Sequence, residues 1–209
     1  RAGRLNEPGE SLSFNQTVGM RTEESGYTAA EEPAYGQNIV GVGGGVCQVS
    51  TALYRLALLG GLEIAERSAA VYPVDYCEIG QEAAVSDQGL DLVLTNNTDA
   101  PLFLIVRVYA ENDGQTMEWQ LIGKENESRF SLVSEVETID APEEPVYVRD
   151  SEGRYATYAD ERIPVSEARP GYRATVSLVD ENGETIRVVS EDTYDAIAQI
   201  VYVGVQQRN

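Results

Sequence analysis

The stretch "GVGGGVCQVSTALYRLALLGGLEI", residues 41–64, decides how the first half of the chain is read. Three consecutive glycines, a valine and a cysteine stand directly before a run of helical periodicity. Val46, Val49, Leu53, Leu56 and Gly60 recur at spacings of three and four, and Ala52, Ala57, Leu58 and Leu59 widen the apolar face. This predicts a helix over 46–60, buried nearly all round and ended by Gly60 and Gly61. Cys47 then lies in the first turn, near the positive end of the helix macrodipole and beside N–H groups that lack an intrahelical partner. Such a seat favours a thiolate, the nucleophilic form, and its N–H groups suit an oxyanion. Glycines at 43–45 let a substrate approach the backbone, which completes a site for attack on an amide carbonyl. The bland alternative is a small buried residue beside a tight turn.

The 209 residues suffice for one large domain or two ordinary ones, and 42% hydrophobic residues is a globular composition. A net charge of −20 repels nucleic acid and anionic lipid, so neither is expected as a partner. The acidity spreads over many segments and reads as a solvated surface. There is no histidine, which removes the usual general base and the commonest metal ligand. Cys47 and Cys77 lack metal-ligand spacing, so no metal or other cofactor is expected. No run nears the roughly 18 apolar residues of a membrane span, so this segment is not expected to insert directly in a membrane. The chain shows no signal peptide and opens abruptly on "RAGRLNEPGESLSFN", as a piece of a longer protein would. An export signal or anchor would then lie outside it.

Residues up to about 45 read as loops with short strands, after the end of a truncated helix. After the predicted helix, "LEIAERSAAVYPVDYCEI" is strand-like but broken at Pro73. "GLDLVLTNNT" reads as a strand entering a turn, and "APLFLIVRVYAENDGQTMEWQLIG" as a hairpin about "ENDG". Residues 1–123 are thus expected to form an α+β domain, with a central buried helix carrying the cysteine at its N-terminus and packed on an antiparallel sheet. The polar "KENES" at 124–128 marks the boundary. Residues 124–209 are expected to form a small, elongated all-β module of four to six strands with a thin core, as in a single sheet. "PVYVRD", "YRATVSLVD", "ETIRVVSED" and "AQIVYVGV" carry the strand patterns, and "DENG" is the hairpin signal.

The string "GGGVCQVSTALYRLALLGGLEIAER" resembles the signature of VanW-like domains, cell-envelope proteins of mostly Gram-positive bacteria. "PGESLSFNQTVGMRTEESGYTAA" is similar to the opening motif of that family, and "PVDY", "GQEAAV" and "DLVLTNNTDAPLFL" to its later motifs, in the same order. The second half more weakly resembles the G-five-type β module that often follows such domains, through "ARPGY", "DENG" and "IVYVGV". The resemblance implies an exported protein facing the cell wall, anchored or exported through a segment outside this chain, with peptidoglycan stem peptides or wall polymer as partner. It also implies an L,D-transpeptidase chemistry. Cys47 would attack a carbonyl of one stem peptide, and an amine of a second would resolve the thioester. A cysteine at a helix start followed by strands is also similar to the transglutaminase and NlpC-type peptidase core, in which the base is a histidine on a following strand.

The sequence departs from the family where that base belongs. "RSAAVYP" has Ser68, Ala70 and Tyr72 where the resemblance implies imidazoles, and "GQEAAV" has Gln81 and Glu82 in place of an Arg-Asp pair. Three outcomes stay open at this point. The chain is a non-catalytic peptidoglycan binder or scaffold, or the thiolate works with Tyr72, Asp75 or Glu82 moving protons poorly, or a partner supplies the base. A carboxylate near Cys47 would oppose ionisation of the thiol, which counts against Glu82 as a simple replacement. Asp91 could orient a base or shape a turn. Arg21 and Tyr27 would line the peptide cleft or clamp their loop. Gly44 and Gly45 would admit substrate, and Gln48 would aim at an oxyanion or cap the helix. Ser50 and Thr51 read as helix-surface residues. Cys77 reads as a small buried residue, with a disulfide to Cys47 as the alternative that would silence the thiol.

Overall fold

A computed structural model describes residues 2–34, 37–111, 114–124 and 129–208. The expected turns at 35–36 and 112–113, and the "KENES" boundary from 125 to 128, lie outside the described residues. The elements in order are β1 (Ala2–Asn6), β2 (Ser11–Ser13), α1 (Phe14–Val18), β3 (Ala29–Ala34), β4 (Gln37–Val42), α2 (Val46–Leu59), β5 (Glu63–Glu66), β6 (Val93–Thr95), β7 (Leu102–Glu111) and β8 (Gly114–Ile122). Then follow β9 (Ser131–Ile139), β10 (Val146–Asp150), β11 (Arg162–Ser166), β12 (Gly171–Val179), β13 (Thr185–Tyr194) and β14 (Ile200–Gly204). The fold is α+β, mostly sheet with one substantial helix. No described helix is long and apolar enough to cross a membrane.

The chain divides into two compact units that are not consecutive segments. One comprises 1–135 and 175–191, the other 136–174 and 192–209. In the first, α2 is the centre. Leu53, Tyr54, Ala57 and Leu58 of its buried face join Phe14, Leu62, Ala83, Leu92, Leu94 and Leu102 in one core. Each large side chain so buried stabilises by roughly 1.5–3 kcal/mol. The end of α2 is fixed by its sequence. Gly61 takes φ 75°, and the N–H groups of Gly61 and Leu62 bond back to the carbonyls of Leu58 and Ala57. That is the left-handed stop that glycine favours after a helix.

Against α2 lies the antiparallel hairpin β7–β8, extended by β1 in the order β1-β7-β8. Leu104, Leu121 and Trp119 pack against the core, while the opposed pair Arg107/Glu118 falls on alternate positions. A second sheet, β2-β6-β5, and the hairpin β3–β4 also belong to this unit, and Leu132 of β9 and Val189 of β13 pack against its core. Residues 67–92 hold no strand. A lone bridge pairs Ser68 with Ala84. Two local expectations are corrected here. Residues 2–6 form a strand paired with β7, not the tail of a helix, and residues 14–18 form a short helix that no periodicity announced. Ser13 caps it, accepting from the Gln16 N–H, as capping serines do.

In the second unit β10 runs parallel to β14 and β11 antiparallel to it. Pro164 sits in β11, an edge strand, where a missing N–H is tolerated. The side chain of Asp150 is buried and accepts from the N–H groups of Tyr155 and Ala156. Those bonds hold its carboxyl below the usual range. The six strands after residue 124 lie in two three-stranded sheets, β10-β14-β11 and β13-β12-β9, not in the single sheet expected.

Candidate functional site

Cys47 is the second residue of α2 and is half-buried. The N-cap is Gly45, which offers no side-chain cap. The Val46 N–H bonds to the Gly43 carbonyl at 3.1 Å and the Val49 N–H to that of Gly45 at 3.2 Å. Among the described residues nothing accepts from the N–H groups of Cys47 and Gln48. The helix start therefore presents a thiol and two free donors together.

The glycine run is shaped by close packing. A Cβ on Gly44 would stand 2.7 Å from the Cβ of Ala30 and 3.1 Å from its carbonyl carbon. Gly44 thus lets the turn lie directly on the start of β3, and the Gly43 N–H bonds to the Thr28 carbonyl. On its other side Gly43 approaches the Cβ of Arg21.

One side of the first two turns of α2 is stitched to the extended segment 83–85. The Cys47 Sγ donates to the Val85 carbonyl at 3.4 Å, the Ser50 hydroxyl donates to the Ala83 carbonyl at 2.6 Å, and the Ala83 N–H donates to Thr51 Oγ1 at 3.0 Å. Ser50 and Thr51 are buried, which corrects their expected place on the helix surface. They satisfy a backbone that has no strand partner on that side, as buried peptide groups require. Across 83–85, the Ala84 N–H bonds to the Ser68 carbonyl at 2.8 Å. The "RSAAVYP" stretch is therefore neighbour to the segment that touches the thiol.

The remaining sequence-selected residues divide clearly. Glu82 is fully buried. Its carboxylate accepts from the N–H groups of Ala70 and Gly80 and pairs with Arg67 at 3.5 Å. Arg67 in turn donates to the carbonyls of Glu82 and Gly80 and lies over the Tyr54 ring. This ion pair fastens the irregular 67–82 segment. Asp91 accepts from the Ser13 hydroxyl and from the N–H groups of Asn15 and Leu92, so it anchors α1. Arg21 is buried at its head, paired with Asp87 at 2.6 Å and bonded to Asn15, and it clamps its loop. Tyr27 is half-buried in the 22–28 turns, and its N–H bonds to the Thr22 carbonyl. Tyr72 is half-buried, and Asp75 and Gln48 are exposed. Gly44, Gly45 and Gln48 thus adjoin Cys47 along the chain, whereas Glu82, Asp91 and Arg21 are engaged in fixed contacts of their own.

Both cysteines are free. Burial pushes the Cys77 thiol up to about 11, with the Glu82 charge adding to it. Sequence reasoning overlooked Tyr76, which is half-buried and whose phenol burial pushes up to about 12. Its place in "PVDY", one of the family-like motifs, was the available signal. Among the described residues no group of three or more acidic or cysteine side chains is arranged to hold a metal ion.

The family model described as "VanW like protein" matches residues 2–120, more than half of the chain. A stretch of 102 residues, 49% of the chain, is 39% identical to the uncharacterized protein YoaR of Bacillus subtilis (strain 168). The match spans 34% of that protein, so the chain covers about a third of this relative's length. No solved structure gives a significant match.

Proposed function

The chain belongs to the VanW-like family, and from that premise we propose that it is a cysteine acyltransferase of L,D-transpeptidase type acting on peptidoglycan stem peptides. The observation that carries this reading is the half-buried Cys47 thiol beside the two unengaged N–H groups of an uncapped helix start. Attack of the Cys47 sulfur on a stem-peptide carbonyl forms a thioester, and those N–H groups would receive the oxyanion. An amine of a second stem peptide then releases the acyl group and forms the cross-link. The substrate fixes the location: an exported protein working at the cell wall. The second compact unit, residues 136–174 and 192–209, would serve as a G-five-like β module that binds wall polymer or acts as a spacer.

The test is incubation of the chain with purified muropeptides followed by intact-mass analysis. The expected result is an acyl adduct that disappears in Cys47→Ala and is released by added amine. Absence of any adduct, with Cys47 alkylated no faster than a cysteine in an unstructured peptide, overturns it.

One observation favours a second reading, a peptidoglycan-binding or scaffold protein without turnover. The chain has no histidine, and the carboxylate of Glu82 is committed to Arg67 and two N–H groups. Retention on purified sacculi with no adduct formed supports this reading, and failure to sediment with sacculi defeats it.

A further inference from the structure

The hairpin β3–β4 is a sheet of two strands, so each strand keeps one open edge. The Gly43 N–H bonds to the Thr28 carbonyl at 3.3 Å, which makes Thr28 and Gly43 a hydrogen-bonded pair of the antiparallel ladder. The register is unbroken from Val42 opposite Ala29 to Gln37 opposite Ala34. Bonding directions alternate along such a ladder. Gly41 therefore turns its N–H and carbonyl toward β3, while Val40 and Val42 turn theirs away. Among the described residues nothing bonds to these outward groups.

The two edges differ in sequence. The outward positions of β3 hold Ala29, Glu31 and Pro33, and a proline has no N–H to offer. Charge and proline are common means of closing an edge to a further strand. The sequence of β4, "QNIVGV", has neither. Val40 and Val42 are 72% and 40% exposed. One edge is thus guarded and the other left open, and the open one runs directly into Gly43–Gly45 and Cys47. The Gly43 bond and the close approach of Gly44 to Ala30 fix that turn to the hairpin.

We propose that the β4 edge holds the peptide substrate of the Cys47 site as an added strand, paired with the N–H and carbonyl groups of Val40 and Val42. The proposal rests on the acyl-transfer reading above for the point where the peptide ends. An extended chain advances about 3.3 Å per residue, so the substrate passes from Val42 to the glycine turn within about two or three residues. The peptide that fits is extended and uncharged or cationic. A net charge of −20, with acidic residues at 31 and 32 of the neighbouring strand, disfavours an anionic peptide. The same charge disfavours a second copy of the chain on this edge. Recognition falls on the main chain, so the peptide's conformation and charge are selected more than its side chains.

Hydrogen exchange on the Cys47→Ala chain, which binds without acylation, reads the edge directly, with purified muropeptides as the probe. The expected result is exchange of the Val40 and Val42 amides about tenfold slower, with the Gly41 amide unchanged. Equal exchange with and without muropeptides overturns the proposal. Slowing that needs no muropeptide and grows with protein concentration shows the edge closed by a second copy, and overturns it too. Val40→Pro removes one outward N–H and leaves the bonds to β3 in place. It should raise the muropeptide concentration for half-maximal adduct formation about tenfold, with iodoacetamide alkylation of Cys47 within about twofold. Val40→Thr keeps the N–H and should match the unmodified chain. An unchanged half-maximal concentration in Val40→Pro is a contrary result. If that variant loses alkylation as well, its helix start is disturbed and the exchange measurement decides. Protected amides with no adduct on the unmodified chain remove the acyltransferase and keep the edge as a peptide-binding site. Absence of both removes both.

Discussion

The Sγ of Cys47 donates to the carbonyl of Val85 at 3.4 Å, and three residues further along the helix Ser50 donates to the carbonyl of Ala83 at 2.6 Å. The nucleophile's turn and the segment beside it are therefore tethered at two points. The second tether is testable. Ser50→Ala leaves a buried carbonyl without its side-chain donor and should cost about 1–3 kcal/mol. Thermal unfolding should report it as a fall of about 2–4 °C for each kcal/mol.

Gly44 is the narrowest point of the glycine run. Ala substitution places a Cβ against Ala30, where backbone as well as side chain must yield. Gly44→Ala should cost about 1–3 kcal/mol as an overpacked contact. It should also slow alkylation of Cys47, because the turn that starts α2 must shift. A variant as stable and as reactive as the unmodified chain would show that the close approach is unimportant.

The Arg67–Glu82 pair is almost wholly buried, with side chains 8% and 1% exposed. Glu82→Ala removes the carboxylate paired with the Arg67 guanidinium and deprives the Ala70 and Gly80 N–H groups of their acceptor. A loss of about 3–5 kcal/mol is expected in urea unfolding. Arg67→Met combined with Glu82→Ala should be less damaging than the sum of the single changes, since neither charge is then left alone.

Alkaline pH should weaken the fold through two groups. Cys77 rises from 9.0 to about 11 and Tyr76 from 10.0 to about 12 on folding, burial being the main cause of both. The folded chain keeps protons that the unfolded chain loses, so stability is intact below about pH 9 and falls as pH rises through 11 to 12. Cys77→Ala should flatten the early part of that fall in denaturant titrations at pH 8 to 11. Cys77 should also be alkylated at pH 7 about a hundredfold more slowly than an ordinary thiol.

The missing imidazole offers a gain-of-function test. Ser68 bridges Ala84, whose neighbour Val85 receives the Cys47 sulfur bond. On the acyltransferase reading, at least one of Ser68→His, Ala70→His and Tyr72→His should raise adduct formation by about 10²-fold or more. Three variants that fold and show no increase would argue that this face does not supply a base.

Much of the frame was legible because it is local and periodic. The helix over 46–59, its glycine stop and the β7–β8 hairpin follow from apolar spacing and turn residues. What escaped is held by partners distant in sequence. The short helix at 14–18 depends on Asp91, and the 67–92 segment on a carboxylate that stands in for a strand partner. Ser50 and Thr51 looked like surface residues because polarity suggests water, yet their partner is a backbone some thirty positions away. Cys47 could be found from its helix, because a helix start is legible in local periodicity and turn residues.

The interleaving of the two units has a consequence for biosynthesis. Residues 175–191 belong with 1–135, and Val189 packs against the core that surrounds α2. A ribosome delivers that segment only after residues 136–174 of the other unit have already emerged. The compartment around Cys47 therefore waits on a long-range closure of the kind that folds slowly. A chain halted at residue 135 would expose an unfinished core to chaperones and proteases, and the surroundings of the thiol would be complete only after residue 191 has emerged.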